Sequence, residues 1–207
     1  GYTWSKWTQT SGGTQVTTTQ NYSATISANW AYTANATAKA LTFSAQTLTK
    51  TYSTSAQTVS FTGASNGTGS YTYSITAGNT NSYFSFASAS TPTLTIKAST
   101  PANTTGYALT AKVTDSNSGA TKSVTITVKI NRKGVAVPSA VTGLVYNGSS
   151  QTGVAANATY YTITGNTATN AGEYTATLTP TANYQWSSGS NVTSAREVAW
   201  SIGKAAL

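Results

Sequence analysis

Three side-chain carboxylates, Asp115, Glu173 and Glu197, are all that the 207 residues offer for acid–base chemistry. The chain contains no histidine and no cysteine. That removes His-based triads, conventional zinc sites, disulfides, thiol chemistry and iron–sulfur ligation. A glycosidase needs two acids in one cleft, and Glu173 with Glu197 can supply them only if their strands adjoin. Ser201-Ile-Gly-Lys204 matches the Ser-x-x-Lys of penicillin-binding enzymes letter for letter. That pair works where one helical turn brings its members together, and on a strand positions three apart face opposite ways. Asp115, in Asp115-Ser-Asn-Ser-Gly119, is the only acid of its stretch. A calcium site wants six to eight oxygens, several of them carboxylate, so Asp115 reads as a turn former. The expectation is a non-enzymatic chain with no metal site and no cofactor.

The elements that would position these residues read as strands. Charged residues make up 7% of the chain, and Thr supplies roughly a fifth of it, against a usual charged share of about 25%. Thr and Tyr suit a pleated, half-buried surface, and the usual helix formers are scarce. No apolar run approaches the roughly 20 residues of a membrane helix, and no charged-then-apolar leader opens the chain. Gly1 in place of a start methionine leads us to expect a piece cut from something longer. The fold expected is all-β: tandem sandwich modules with a small partial β module at the N-terminus.

Alternation carries most of that expectation. In residues 22–32, Tyr22, Ala24, Ile26, Ala28, Trp30 and Tyr32 share one face. The pairs Val59 and Phe61, Tyr71 with Tyr73 and Ile75, and Leu94 with Ile96 each alternate with Ser, Thr or Lys. So do Tyr107, Leu109, Ala111 and Val113, and then Val124, Ile126, Val128 and Ile130. Asn66-Gly67 and Asp115-Ser-Asn-Ser-Gly119 are turn signals, the second closing a hairpin. Further strands are expected at 143–146, 159–164, 173–179, 184–186 and 198–202, with a turn at Asn147-Gly148. The segment 131–138, ending at Pro138, reads as a linker. Boundaries follow at 1–37, 38–130 and 131–207.

The N-terminal order Gly-Tyr2-Thr-Trp4-Ser-Lys6-Trp7, then Gly12-Gly13-Thr14, then a strand ending Ala-Asn-Trp30, resembles the second half of the Listeria–Bacteroides repeat of internalin-like surface proteins. Lys6 stands where that family has Gly. Tyr2, Trp4, Trp7 and Trp30 are candidate aromatic ligand contacts, because aromatic faces stack on sugars. Trp4 and Trp7, however, lie three apart and should face opposite ways on a strand, which favours core or staple roles. Residues 107–130 resemble the putative-immunoglobulin and cadherin-like modules of bacterial surface proteins. The set Val145-Tyr-Asn-Gly148, Asn170-Ala-Gly172-Glu-Tyr174, Asn183-Tyr-Gln-Trp186 and Trp200-Ser-Ile-Gly-Lys204-Ala resembles tandem bacterial immunoglobulin-like repeats. Asn170, Gly172 and Tyr174 have the spacing of that fold's tyrosine corner, with Ala176 at the cysteine position. Surface modules of this kind sometimes join Lys to Asn in the core with an acid shuttling the proton. The resemblance implies Lys133, Glu173 and Asn191 as candidates for such an isopeptide bond.

The net charge is +8, from 11 basic residues, and only Arg132 and Lys133 are adjacent. Nucleic-acid binders concentrate their basic residues, so no nucleic-acid partner is expected, and no membrane insertion by this segment. Sequons at Asn21, Asn35, Asn66, Asn103, Asn147, Asn157 and Asn191 arise by chance in so Asn- and Thr-rich a chain. Three readings stay open. The first is a stalk or adhesin segment of an extracellular or bacterial cell-surface repeat protein, with neighbouring modules of the same chain as partners. The second is a module binding glycans, anionic wall polymers or host surface proteins. The third is a fibre subunit that self-assembles by strand complementation, since the N-terminal half-repeat would leave an unpaired edge.

Overall fold

Thr and aromatic or β-branched residues alternate along most of the chain, and the structure turns that pattern into strands. A computed structural model describes residues 2–9, 15–21 and 31–206, without the side chain of Ala38. Among them every regular element is a strand except one 3-10 turn, Thr80–Ser82. The expected strand through Tyr22, Ala24, Ile26, Ala28 and Trp30, and the Gly12-Gly13 turn, lie outside the described residues. Two compact units emerge: residues 1–48, 58–95 and 108–127 form one, and 49–57, 96–107 and 128–207 the other.

In the first unit, β1 (Tyr2–Gln9), β2 (Gln15–Thr17), β3 (Tyr32–Thr42) and β6 (Ser65–Gly67) form a sheet in the order β2-β1-β3-β6. β3 runs unbroken from Tyr32 to Thr42 and pairs with β1 as far as Tyr2 opposite Ala38. The expected boundary between residues 37 and 38 therefore falls inside one strand. The long strands β10 (Asn103–Asp115) and β11 (Thr121–Asn131) lie between β4 (Gln46–Thr51) and β7 (Tyr71–Ala77), in the order β4-β11-β10-β7. A second layer has the order β5-β9-β8, from β5 (Gln57–Ser60), β9 (Thr93–Ile96) and β8 (Phe84–Phe86). The inward residues of this unit are those the alternation singles out: Phe61, Tyr73, Leu94, Leu109, Ala111, Val113 and Ile126 are buried. Phe43 joins them, its ring 5.9 Å from that of Tyr73, which in turn meets Phe61 edge-on at 5.8 Å.

In the second unit, β14 (Tyr161–Thr164), β16 (Gly172–Pro180) and β18 (Arg196–Ile202) form an antiparallel sheet with β16 in the centre. Facing strands β12 (Lys133–Val135) and β17 (Tyr184–Trp186) pair in parallel, and β13 (Gln151–Thr152) pairs with β15 (Thr167–Ala168). Val154, Tyr161, Ala176, Leu178, Trp186, Trp200 and Ile202 make the core. Two expectations change here. The segment read as a linker holds β12, because Lys133, Gly134 and Val135 find Tyr184, Gln185 and Trp186 as ladder partners. The strand expected at 143–146 is reduced to a lone parallel bridge, Val145 to Gly203. Gly143 and Gly148 take φ values of +75° and +78°, left-handed conformations that a strand cannot continue through.

Candidate functional site

Asp115 is the most elaborately built polar position. It ends β10, and its side chain is fully buried. Its backbone closes the β10–β11 hairpin: the Asp115 N–H donates to Ala120 O at 2.8 Å, and the Gly119 N–H donates to Asp115 O at 2.8 Å. The carboxylate accepts from the N–H groups of Asn117 and Ser118 at 3.1 and 3.4 Å, as a turn-forming Asp does. It also accepts from both the N–H and the hydroxyl of Thr68, 47 residues away. These Thr68 bonds come first among the causes that hold the carboxyl well below the usual carboxylate range, against the opposing effect of burial. The loop that offers Thr68 is shaped for the purpose. Asn66 and Gly67 have φ of +64° and +55°, and a Cβ on Gly67 would collide with Asp115 Oδ2. The Tyr71 hydroxyl donates to Asn66 O and fixes the same loop. Burial, and then the charge of Asp115, push the Tyr71 phenol up.

The other carboxylates are not organised for reaction. β16 and β18 do adjoin, but Glu173 stands opposite Ser201 and Glu197 opposite Thr177. Four positions of strand at about 3.4 Å each put them roughly 14 Å apart, beyond the about 9.5 Å reach of a glycosidase pair. A groove of ≈ 270 Å³ includes Glu173, Ser201 and Lys204 in its lining. All three are exposed to solvent, and electrostatic activation draws its strength from excluding water. Among the described residues no group of three His, Cys, Asp or Glu could hold a metal ion.

The isopeptide assignment needs correction. Lys133 lies in β12, Glu173 in β16 of the other sheet, and Asn191 in the loop before β18 with φ +53°. All three are exposed, whereas the condensation requires amine, carboxamide and proton shuttle together in a dry core.

Tyr174 donates its hydroxyl to Asn170 O at 2.8 Å, and its ring stacks on Trp200 with centroids 4.7 Å apart. Gly172 lies under that ring, 3.4 Å from the hydroxyl at the position a Cβ would take. Trp200 in turn covers Gly153, where any Cβ would overlap the indole, and donates its own N–H to Gly165 O at 2.9 Å. Trp186 and Tyr161 are likewise tied to backbone carbonyls, of Ser194 and Ala155. The polar tips of this core are spent on holding the chain.

Trp4 and Trp7 overturn the alternation argument. β1 carries a bulge between Trp4 and Lys6, so that Trp4 faces Ala36, Lys6 faces Asn35 and Trp7 faces Ala34. The extra residue, Ser5, resets the parity, and both indoles lie on one face with centroids 5.4 Å apart, tilted at 55°. Their N–H groups donate to Thr18 O and Gln20 O at 2.7 and 3.2 Å. Tyr2, two positions before Trp4 in unbroken register, shares the face and is 58% exposed. The Asn35 amide satisfies the carbonyl of Lys6 at the bulge, at 3.1 Å. Trp30 lies outside the described residues. Neither the bulge nor the Thr68–Asp115 link has a local signal in the sequence beyond the Asn66-Gly67 turn itself.

Within the second unit the segment around Arg132 is stitched down. Arg132 Nε donates to Ala182 O at 3.0 Å and the Lys133 N–H to Asn183 O at 2.9 Å. The Asn183 side chain accepts from the Ala102 N–H at 2.9 Å, and Tyr52 meets Tyr184 edge-on at 5.5 Å.

No family model and no curated protein matches the chain. Among solved structures it is similar to the human desmocollin-1 ectodomain at TM-score 0.39 and 12% identity, over 79% of this chain and 41% of that one. It is similar to protocadherin gamma B2 extracellular cadherin domains 3–6 at TM-score 0.38 and 11% identity, over 80% and 46%. For sidekick-1 immunoglobulin domains 1–4 the figures are 0.32 and 12%, over 96% and 65%. The chain thus spans less than two thirds of the length of each of these three, and overlaps this loose carry no argument about function. The likeness to bacterial surface repeats rests on its residues alone.

Proposed function

We propose that this chain is a non-enzymatic structural segment, a stalk or adhesin spacer of an extracellular bacterial surface protein. The observation that supports this is the stitched segment around Arg132. The residues read from sequence as a linker enter a ladder, Arg132 bonds to Ala182 O, and Asn183 and Tyr184 meet Ala102 and Tyr52 of the same unit. A spacer that holds its length needs its segments folded into ordered units, whereas a flexible tether does not. The invested polar groups point the same way, since Asp115, Tyr174 and Trp200 bond to their own chain. Antibodies raised against the chain should label intact cells of the source organism, and protease shaving should remove the signal. Labelling only after lysis would sink the reading.

A second reading, glycan binding, gains from the bulge in β1. Tyr2, Trp4 and Trp7 share one face, and with both indole N–H groups committed to backbone they would offer ring faces to a sugar. A glycan array with the wild-type chain and Trp7→Ala tests it: binding lost in the variant supports it, and no binding by either chain ends it.

A further inference from the structure

The chain contains the dipeptide Asn-Gly twice, and the fold treats the two copies in opposite ways. Asn66 and Gly67 are held: Gly67 is buried against Asp115, and the half-buried Asn66 donates Nδ2–H to Thr42 Oγ1 at 3.0 Å while its carbonyl accepts from the Tyr71 hydroxyl. Asn147 and Gly148 are exposed, and a Cβ on Gly148 would meet open space. Asn147 Oδ1 accepts from the Ser149 N–H at 3.0 Å, which folds the carboxamide forward over the backbone that follows it. The residues on either side are anchored: the Tyr146 N–H donates to Gly203 O at 2.9 Å and Gln151 Nε2 to Val145 O at 3.1 Å. The tip between them projects from a fixed base.

We infer that Asn147-Gly148 is a site of spontaneous covalent modification, a built-in deamidation point, and that Asn66-Gly67 is protected by the fold. The Gly148 backbone nitrogen attacks Asn147 Cγ, a bond forms between them, and Nδ2 leaves as ammonia with the proton lost by the attacking amide. The product is a five-membered succinimide. Water then adds to one of its two carbonyls and opens the ring to aspartate or to isoaspartate. No oxidant or other co-reactant is required. Glycine in second place matters because it brings no side chain against the attack, and its backbone is free to turn the nitrogen toward Cγ. At Asn66 the carboxamide is held by Thr42, and Gly67 is buried against the Asp115 carboxylate. Each conversion at Asn147 replaces a neutral amide with a carboxylate on a chain that has only three side-chain acids, and the isoaspartate form adds a methylene to the backbone of the tip.

The test is incubation of the native chain at mildly alkaline pH, followed by peptide mapping with mass spectrometry at intervals. Peptides carrying Asn147 should gain the mass difference between amide and acid several-fold faster than peptides carrying Asn66. The same incubation in concentrated urea should bring the two rates together, since both sites then present the same dipeptide in an open chain. Asn147→Gln should abolish the fast conversion. Equal native rates, or a faster Asn66, would overturn the inference. So would a difference that persists unchanged in urea, because the fold would then not be its cause.

Discussion

Asp115 shows how far one residue can exceed its local role. A turn-forming Asp needs only the N–H groups two and three residues on, and Asn117 and Ser118 provide them. The additional bonds from Thr68 make the charged form the one the fold prefers. The folded carboxyl titrates below the usual value of about 3.9. Its contribution to stability is therefore complete above about pH 5 and is lost as pH falls through the unfolded value toward the folded one. The wild-type chain should hold its unfolding midpoint from neutrality down to about pH 5 and lose it progressively in acid. Asp115→Asn should start from a lower midpoint at neutral pH and fall less in acid, as denaturation followed at a series of pH values would show. An acid limb of unchanged depth in the variant would assign the sensitivity elsewhere. Tyr174 works at a smaller scale, with one hydroxyl bond to Asn170 O and a ring on Trp200. Tyr174→Phe keeps the ring and loses the bond, which should lower stability by about 1 kcal/mol, measurable by chemical denaturation.

At the scale of elements, the strands and their inward faces were legible because burial imposes a period of two. Leu109, Ala111 and Val113 in β10, and Ile126, Val128 and Ile130 in β11, are buried as their alternation predicts. What was not legible depends on partners distant in sequence. The bulge in β1 is set by pairing with β3 some 30 residues on, so counting along β1 alone put Trp4 and Trp7 on opposite faces. β12 was hidden for a similar reason: three residues beginning at the second member of a basic pair carry no period, and only β17, about 50 residues later, makes them a strand. The Tyr174 hydroxyl bond to Asn170 O, by contrast, spans only four residues, a distance that local spacing can express. The bulge has a direct optical signature. Two indoles with centroids 5.4 Å apart couple electronically, so the far-ultraviolet circular dichroism should contain an exciton couplet. Trp4→Phe and Trp7→Phe should each remove it, while Trp186→Phe should leave it in place. A spectrum indifferent to Trp4 and Trp7 would contradict the bulge.

Across the whole molecule the governing fact is the scarcity of acids. A chain with 11 basic and three acidic side chains has little with which to coordinate a hard cation, and the placement of those acids reduces it further. The oxygens of Asp115 are occupied by N–H and O–H donors. Glu173 and Glu197 lie four positions apart on an exposed face. Calcium takes six to eight oxygens, and no arrangement of these three carboxylates gathers them. The fold should therefore be indifferent to calcium. Thermal unfolding in EDTA and in about 10 mM calcium should give the same midpoint. A specific site with a Kd of about 0.1 mM would add about 2.7 kcal/mol at that concentration, a shift too large to miss. Such a shift would mean that backbone carbonyls and Asn or Thr oxygens build a site without the help of carboxylates, and the structural reading of this chain would have to make room for a cation.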